Sequence, residues 1–158
     1  LLNLRNTFFG IILLSFITSC GGDDPFLFQD DFSTVPEQFS TSGVTPDTTE
    51  TGLIFYELEV GTSLDSVTIR DVVAVYYTGR TTDNEVFDSS YKNGRTDPTN
   101  FEVANPSLVD GFSEGLLGMK EGGRRVLVIP PELGYAGTSN SLREDTLVFD
   151  VELGTIFF

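Results

Sequence analysis

Residues 108–119 read LVDGFSEGLLGM, and within them Val109, Phe112 and Leu116 recur at helical spacing along one apolar face. Ser107 stands where a helix cap is favoured, Asp110 where a capping acid is favoured, and Gly118 or Gly122 offers the stop. The stretch therefore predicts a short helix, and no other segment of the second half offers one as good. On both sides the period changes from 3.6 to 2. Upstream, Ile54, Tyr56, Leu58 and Val60 alternate with Phe55, Glu57 and Glu59, and in the strand predicted over 71–79 Val73, Val75 and Tyr77 share a face. Downstream, Arg125, Leu127 and Ile129 alternate in RRVLVIP, as do Leu147, Phe149, Val151 and Leu153 in the last strand. Strands with one buried face and a single short helix to cover it make an α+β domain. Tyr77 points where the aliphatic residues of its strand point, into the core.

Nine basic against twenty-four acidic residues leave a formal charge of -15, with no histidine. A nucleic-acid partner is excluded on that balance, because phosphate binding needs a basic surface. Histidine is likewise excluded as base or metal ligand. Cys20 is the single cysteine, so no disulfide can form within the chain.

The first twenty residues read as an export signal: Arg5 is the positive region, Phe8 to Ile17 is apolar, and Thr18 and Ser19 lead to Cys20. Those ten residues fall short of the roughly twenty that a membrane-spanning helix needs. From Gly21 to Thr51 the chain is rich in Asp, Ser, Thr, Pro and Gly and has no sustained period, which predicts a tether. Phe26, Phe28, Phe32 and Phe39 within it are many aromatics for a solvated linker, and part of it could dock on the domain.

The sequence shows no nucleophile with an activating base, no metal-ligand cluster and no phosphate-cradling glycine loop, so hydrolysis, redox chemistry and group transfer lack machinery. What the second half does carry is a set of aromatic motifs in fixed order: VYYTGR, EVFDSS, LVDGFSEGLLGM, IPPELGYAG and TLVFDVEL. Together they resemble the FKBP-type peptidyl-prolyl cis-trans isomerases over residues 52–156. The ITSC segment ending at Cys20 resembles a bacterial lipobox.

The resemblance implies an FKBP-like antiparallel sheet of five or six strands wrapped around one short helix. It divides the chain into a lipoprotein signal over 1–19, a tether over 20–51 beginning at a lipidated Cys20, and an isomerase domain over 52–158. It implies isomerisation of Xaa-Pro bonds in extracytoplasmic proteins, with no cofactor and no metal. Its partners would be proline-containing polypeptides and macrolides of the tacrolimus class, and the domain would be monomeric. Acyl chains on Cys20, each methylene contributing about 0.8 kcal/mol on burial, would hold it in the bacterial envelope. By resemblance to sorting signals, Gly21 favours the outer membrane over the inner.

The chemistry suits an aromatic pocket. The barrier to rotation, roughly 20 kcal/mol, comes from amide resonance. A dry apolar site favours the twisted amide, whose charge separation is reduced. A 10⁵-fold acceleration asks for roughly 7 kcal/mol off that barrier.

By the same resemblance Tyr77, Phe87, Phe101, Leu108 and Phe149 line the pocket, and Phe112 forms its floor in place of the family's usual tryptophan. Asp88 shapes the site through Tyr77 and a cation, Arg95 before Lys92, and follows an aromatic where an unpartnered carboxylate would be costly. Tyr135, by its hydroxyl, and Val109, by its backbone N–H, hold substrate carbonyls. As residues alone, all of these aromatics could equally be plain core. Three features depart from the family pattern: Phe112 itself, Thr99 where a pocket phenylalanine is frequent, and a short GTSNSLRED loop without the usual Ile-Pro-Pro. They motivate a rival reading, a non-catalytic binding or chaperone module.

Overall fold

The computed structural model describes residues 29–158; the predicted export signal and Cys20 lie outside them. Seven strands, β1 (Asp47–Thr48), β2 (Ile54–Glu59), β3 (Val72–Thr81), β4 (Val86–Ser89), β5 (Thr99–Glu102), β6 (Arg124–Ile129) and β7 (Leu147–Phe157), surround one helix, α1 (Asp110–Leu116). All pairings are antiparallel, in the order β1-β2-β6-β7-β3-β4, with β5 also on β3. The count exceeds the predicted five or six because β1 adds two residues at one edge and β4 and β5 share the far edge of β3.

The two longest strands, β3 and β7, pair from Val72↔Phe157 to Thr81↔Leu147. Their apolar alternation is what holds them at the centre: Val73, Val75, Tyr77, Leu147, Phe149, Val151 and Leu153 are all buried on one face. Helix α1 lies on that face, burying Phe112 and Leu116. It comes close because Gly111 and Gly115, four apart and so on one side of the helix, present no side chain to β6. A Cβ at Gly111 would meet Ile129 Cγ2 at 2.5 Å, and one at Gly115 would strike the Leu127 side chain.

The cap differs from the prediction. Ser107 does not cap α1; Val109 is the capping residue, without a side-chain bond, while Asp110 does occupy the first turn. The Ser107 N–H is instead taken by Asn105 Oδ1 at 2.9 Å, a local turn that sets the approach to the helix. Gly118, at φ +75°, ends the helix as predicted.

In β2 the alternation is as read, but the face turned to the helix is the one bearing Phe55 and Glu57. Phe55 pairs with Leu127, and Glu57 with Arg125. Arg125 explains the choice. It is buried, stacks 4.8 Å above the Phe55 ring, pairs with Glu57 at 3.0 Å and donates to Gly115 O and Leu117 O at 3.0 and 2.9 Å. A guanidinium thus satisfies the last carbonyls of α1, where a cation is favoured.

The opposite face of the sheet, expected to be solvated, is closed at its centre. Thr78, Arg80 and Asp150 are buried there. Their cover comes from residues read as tether. Arg80 donates to Pro36 O at 2.6 Å, Arg124 lies 5.6 Å over the Phe39 ring, and β1 pairs with β2. Phe32 and Phe39 are half-buried, the physical reason this stretch docks; Phe26 and Phe28 lie outside the described residues.

Candidate active site

At the N-terminal end of α1 a cavity of about 110 Å³ opens between β3, β4, β5, β7 and the helix. Tyr77, Phe87, Asp88, Phe101, Ser107, Leu108, Val109, Phe112, Tyr135 and Phe149 line it. Five rings make its body. Phe112, 3% exposed, sits 5.0 Å from Phe149, 5.5 Å from Phe101 and 5.8 Å from Tyr77, mostly edge to face, so it closes the bottom. Phe87 meets Phe149 edge-on at 5.5 Å and forms a wall.

That wall depends on a residue the sequence reading passed over. A Cβ at Gly79 would lie 2.7 Å from both Phe87 Cζ and Phe149 Cε1. The Gly79↔Phe149 and Gly79↔Asp88 registers show why: β4 and β7 flank β3 at this point, and both rings fold over the same backbone atom. The VYYTGR motif held that signal.

Asp88 stands on β4 at the rim. Its Oδ2 accepts the Tyr77 hydroxyl at 2.7 Å, and its Oδ1 accepts the Ser89 N–H at 3.0 Å and faces Lys92 Nζ at 3.1 Å. Burial, and then the bond to Asp88, push the Tyr77 phenol well above its usual range, so it stays a donor. The cation paired with Asp88 is Lys92 rather than Arg95, whose charge acts instead on Tyr77, where it opposes the rise. After Lys92 the chain passes through Asn93 at φ +59° and Gly94 at φ +73°, and it leaves Arg95 exposed and off the pocket lining.

The residues of the two predicted carbonyl donors, Tyr135 and Val109, both line the cavity. Tyr135 is half-buried, and burial and then the Asp88 charge raise its phenol, keeping it protonated. Among the described residues its hydroxyl makes no hydrogen bond, and nothing accepts from the Val109 N–H. Its loop is held by Thr138, whose N–H and hydroxyl both donate to Tyr135 O, at 3.1 and 2.7 Å.

Leu108 and Phe101 line the cavity as predicted, and Ser107, predicted as a cap, lines it instead. Thr99 is on β5 and does not line it. From the mouth a shallower polar groove runs between residues 106–110 and 134–140. The short loop closes behind it with Leu142 packed against the core.

A site of this form, apolar beneath with donors at the rim, can desolvate a small ring and hold flanking carbonyls. Among the described residues no group of three or more His, Cys, Asp or Glu could hold a metal ion. The family model described as FKBP-type peptidyl-prolyl cis-trans isomerase matches residues 65–154. FkpA of Escherichia coli, an FKBP-type peptidyl-prolyl cis-trans isomerase, is 41% identical over 108 residues, 67% of this chain and 38% of that protein. A probable FKBP-type isomerase of Haemophilus influenzae is 39% identical over 109 residues, 67% of this chain and 43% of that protein. The chain therefore spans about two fifths of the length of these relatives. The FkpA crystal structure superposes with a TM-score of 0.62 at 38% identity, covering 70% of this chain and 51% of that one. A peptidyl-prolyl cis-trans isomerase from Pseudomonas syringae gives 0.61 at 28% identity, covering 72% of this chain and 81% of that one. With its pocket and its matching family model, the chain belongs to the FKBP-type peptidyl-prolyl cis-trans isomerase family.

Proposed function

We propose that the protein isomerises Xaa-Pro peptide bonds in extracytoplasmic polypeptides. The observation that carries this is the ring-lined cavity whose rim offers the Tyr135 hydroxyl and the Val109 N–H, neither committed among the described residues. The proline ring rests on Phe112 between Phe87, Phe149 and Tyr77. The two donors hold carbonyls on either side. The ring-lined pocket then favours the twisted amide over the planar one, because the twisted form carries less charge separation. Asp88 keeps the Tyr77 ring and the β4 rim in place. No covalent bond forms or breaks.

Exchange spectroscopy on a Xaa-Pro peptide, without a coupling protease, tests this with the full chain. Accelerated cis/trans exchange is expected. A folded protein that leaves every tested peptide at its uncatalysed rate would leave the binding module as the better reading, which the floor's Phe112 and the polar groove favour. The same pocket takes a tacrolimus-class macrolide. Phe112→Trp tightens that binding, since the larger ring restores apolar contact; calorimetry showing equal affinity would refute this.

Cys20 is the acylation site, residues 1–19 are removed, and the domain is held as a monomer at the envelope, more consistent with the outer membrane. The apolar Phe8 to Ile17 run and the ITSC segment support that reading. Labelling of cells with an alkynyl fatty acid checks it: incorporation lost in Cys20→Ala is expected, and incorporation that persists would contradict it.

A further inference from the structure

The turn Tyr91–Gly94, which delivers Lys92 to Asp88, is gripped from outside the isomerase domain. Asp31 N–H donates to Asn93 Oδ1 at 2.7 Å, and Asn93 N–H returns to Asp31 O at 2.7 Å. Asn93 Nδ2 donates to Asp30 Oδ1 at 3.1 Å, Lys92 Nζ faces Asp30 Oδ2 at 3.4 Å, and Thr34 Oγ donates to Tyr91 O at 3.0 Å. Five polar contacts thus join a five-residue segment to a four-residue turn. The side-chain hydrogen bonds among them lie at the exposed surface.

We infer that residues 30–34 brace this turn, and that Lys92 is a positioning residue for Asp88 whose own placement depends on the brace. Three features lead there. Lys92 is shared, with Asp88 on one side and Asp30 on the other, so the ammonium is held between two carboxylates. Asn93 sits in the left-handed region, which a non-glycine residue occupies at a cost, and its side chain uses that conformation to clasp the segment. The turn also continues directly from Ser89 and Ser90, whose hydroxyls bond Tyr77 O and, from Ser90, the Tyr77 N–H. A shift of the turn therefore reaches Asp88 and Tyr77 together. This inference rests on the isomerase reading for its kinetic consequence, but not for its structural one.

Asn93→Gly separates the brace from backbone strain, since glycine adopts φ +59° freely and deletes only the clasp. In the full chain, Asn93→Gly and Asp30→Ala are each expected to lower kcat/KM about two- to fivefold, the scale of a partly exposed charge contact. They act on kcat more than on KM, and the double variant loses no more than the larger single loss. Lys92→Met gives the same loss and Lys92→Arg recovers it. Hydrogen exchange at the Ser90 and Tyr91 amides, whose acceptors are Tyr77 O and Ser89 Oγ, should quicken in Asn93→Gly and Asp30→Ala. Unchanged exchange and unchanged kcat/KM in both variants would overturn the brace. If the unaltered chain shows no isomerase activity, quickened exchange still supports the brace while the functional reading fails; unchanged exchange then overturns the brace as well.

Discussion

Two carboxylates face opposite sides of the same sheet, and their surroundings differ in kind. Asp88, on the helix side, is partly exposed and both its oxygens are engaged, by Tyr77, Ser89 and Lys92. Asp150, on the outer side, is 5% exposed and lies 3.6 Å from Arg80 Nε. Burial raises Asp150 to about 6, against the opposing Phe39 backbone and Arg80 charge. A perturbed carboxylate often marks a functional site. Here the raised carboxylate lies where the N-terminal segment covers the sheet, while Asp88 at the pocket rim is held by Tyr77, Ser89 and Lys92. Isomerisation transfers no proton, so its site needs geometry rather than a tuned acid or base.

Breaking the pocket side should cost most. Phe112→Ala removes a ring in contact with three others and is expected to destabilise the fold by about 3–5 kcal/mol; urea unfolding checks it, and a loss under about 1 kcal/mol would deny Phe112 its place in the core. The outer side should show itself through pH. Asp150 has a usual value of 3.8 and a folded value of about 6. Below 3.8 both folded and unfolded chains hold the proton. Between the two values the folded chain keeps a proton that the unfolded chain has released, so stability falls as pH rises, then levels above 6. The fall is up to roughly 3 kcal/mol. Because the other carboxylates also repel one another as pH rises, the relevant quantity is unaltered protein minus Asp150→Asn; a difference that stays flat from pH 4 to 7 would contradict the dominance of burial over the Arg80 charge at Asp150.

Gly79→Ala forces a methyl between Phe87 and Phe149 and should cost about 1–3 kcal/mol with a fall in activity. An alanine variant with native stability and activity would mean that the two rings part freely. Tyr77→Phe, the smallest change, removes one hydrogen bond to Asp88 and should cost about 1 kcal/mol, again by urea unfolding; the loss should vanish in an Asp88→Ala background.

Much of the pocket was legible because strand phase and motif order agree on the same residues. Tyr77 and Phe149 alternate with buried aliphatics, and Phe112 lies on the helix face with Leu116. What escaped had its cause in space rather than in period. Gly79 matters because rings from two other strands converge on it. The buried face of β2 is chosen by Arg125, whose partners are helix carbonyls ten and eight residues away. Lys92 rather than Arg95 meets Asp88 because two left-handed residues intervene. Residues 29–51 have a tether's composition, but three acceptors or rings, Pro36 O, Phe39 and Asp30, find cations on the domain, which composition cannot register.

The central claim is that the helix-side pocket accelerates proline isomerisation. Its most direct test is the slow, proline-limited refolding phase of a model protein, followed with the unaltered chain and with Asp88→Ala. The pocket account predicts a faster slow phase that the variant largely loses. A slow phase untouched by folded protein, or quickened equally by both, would contradict it.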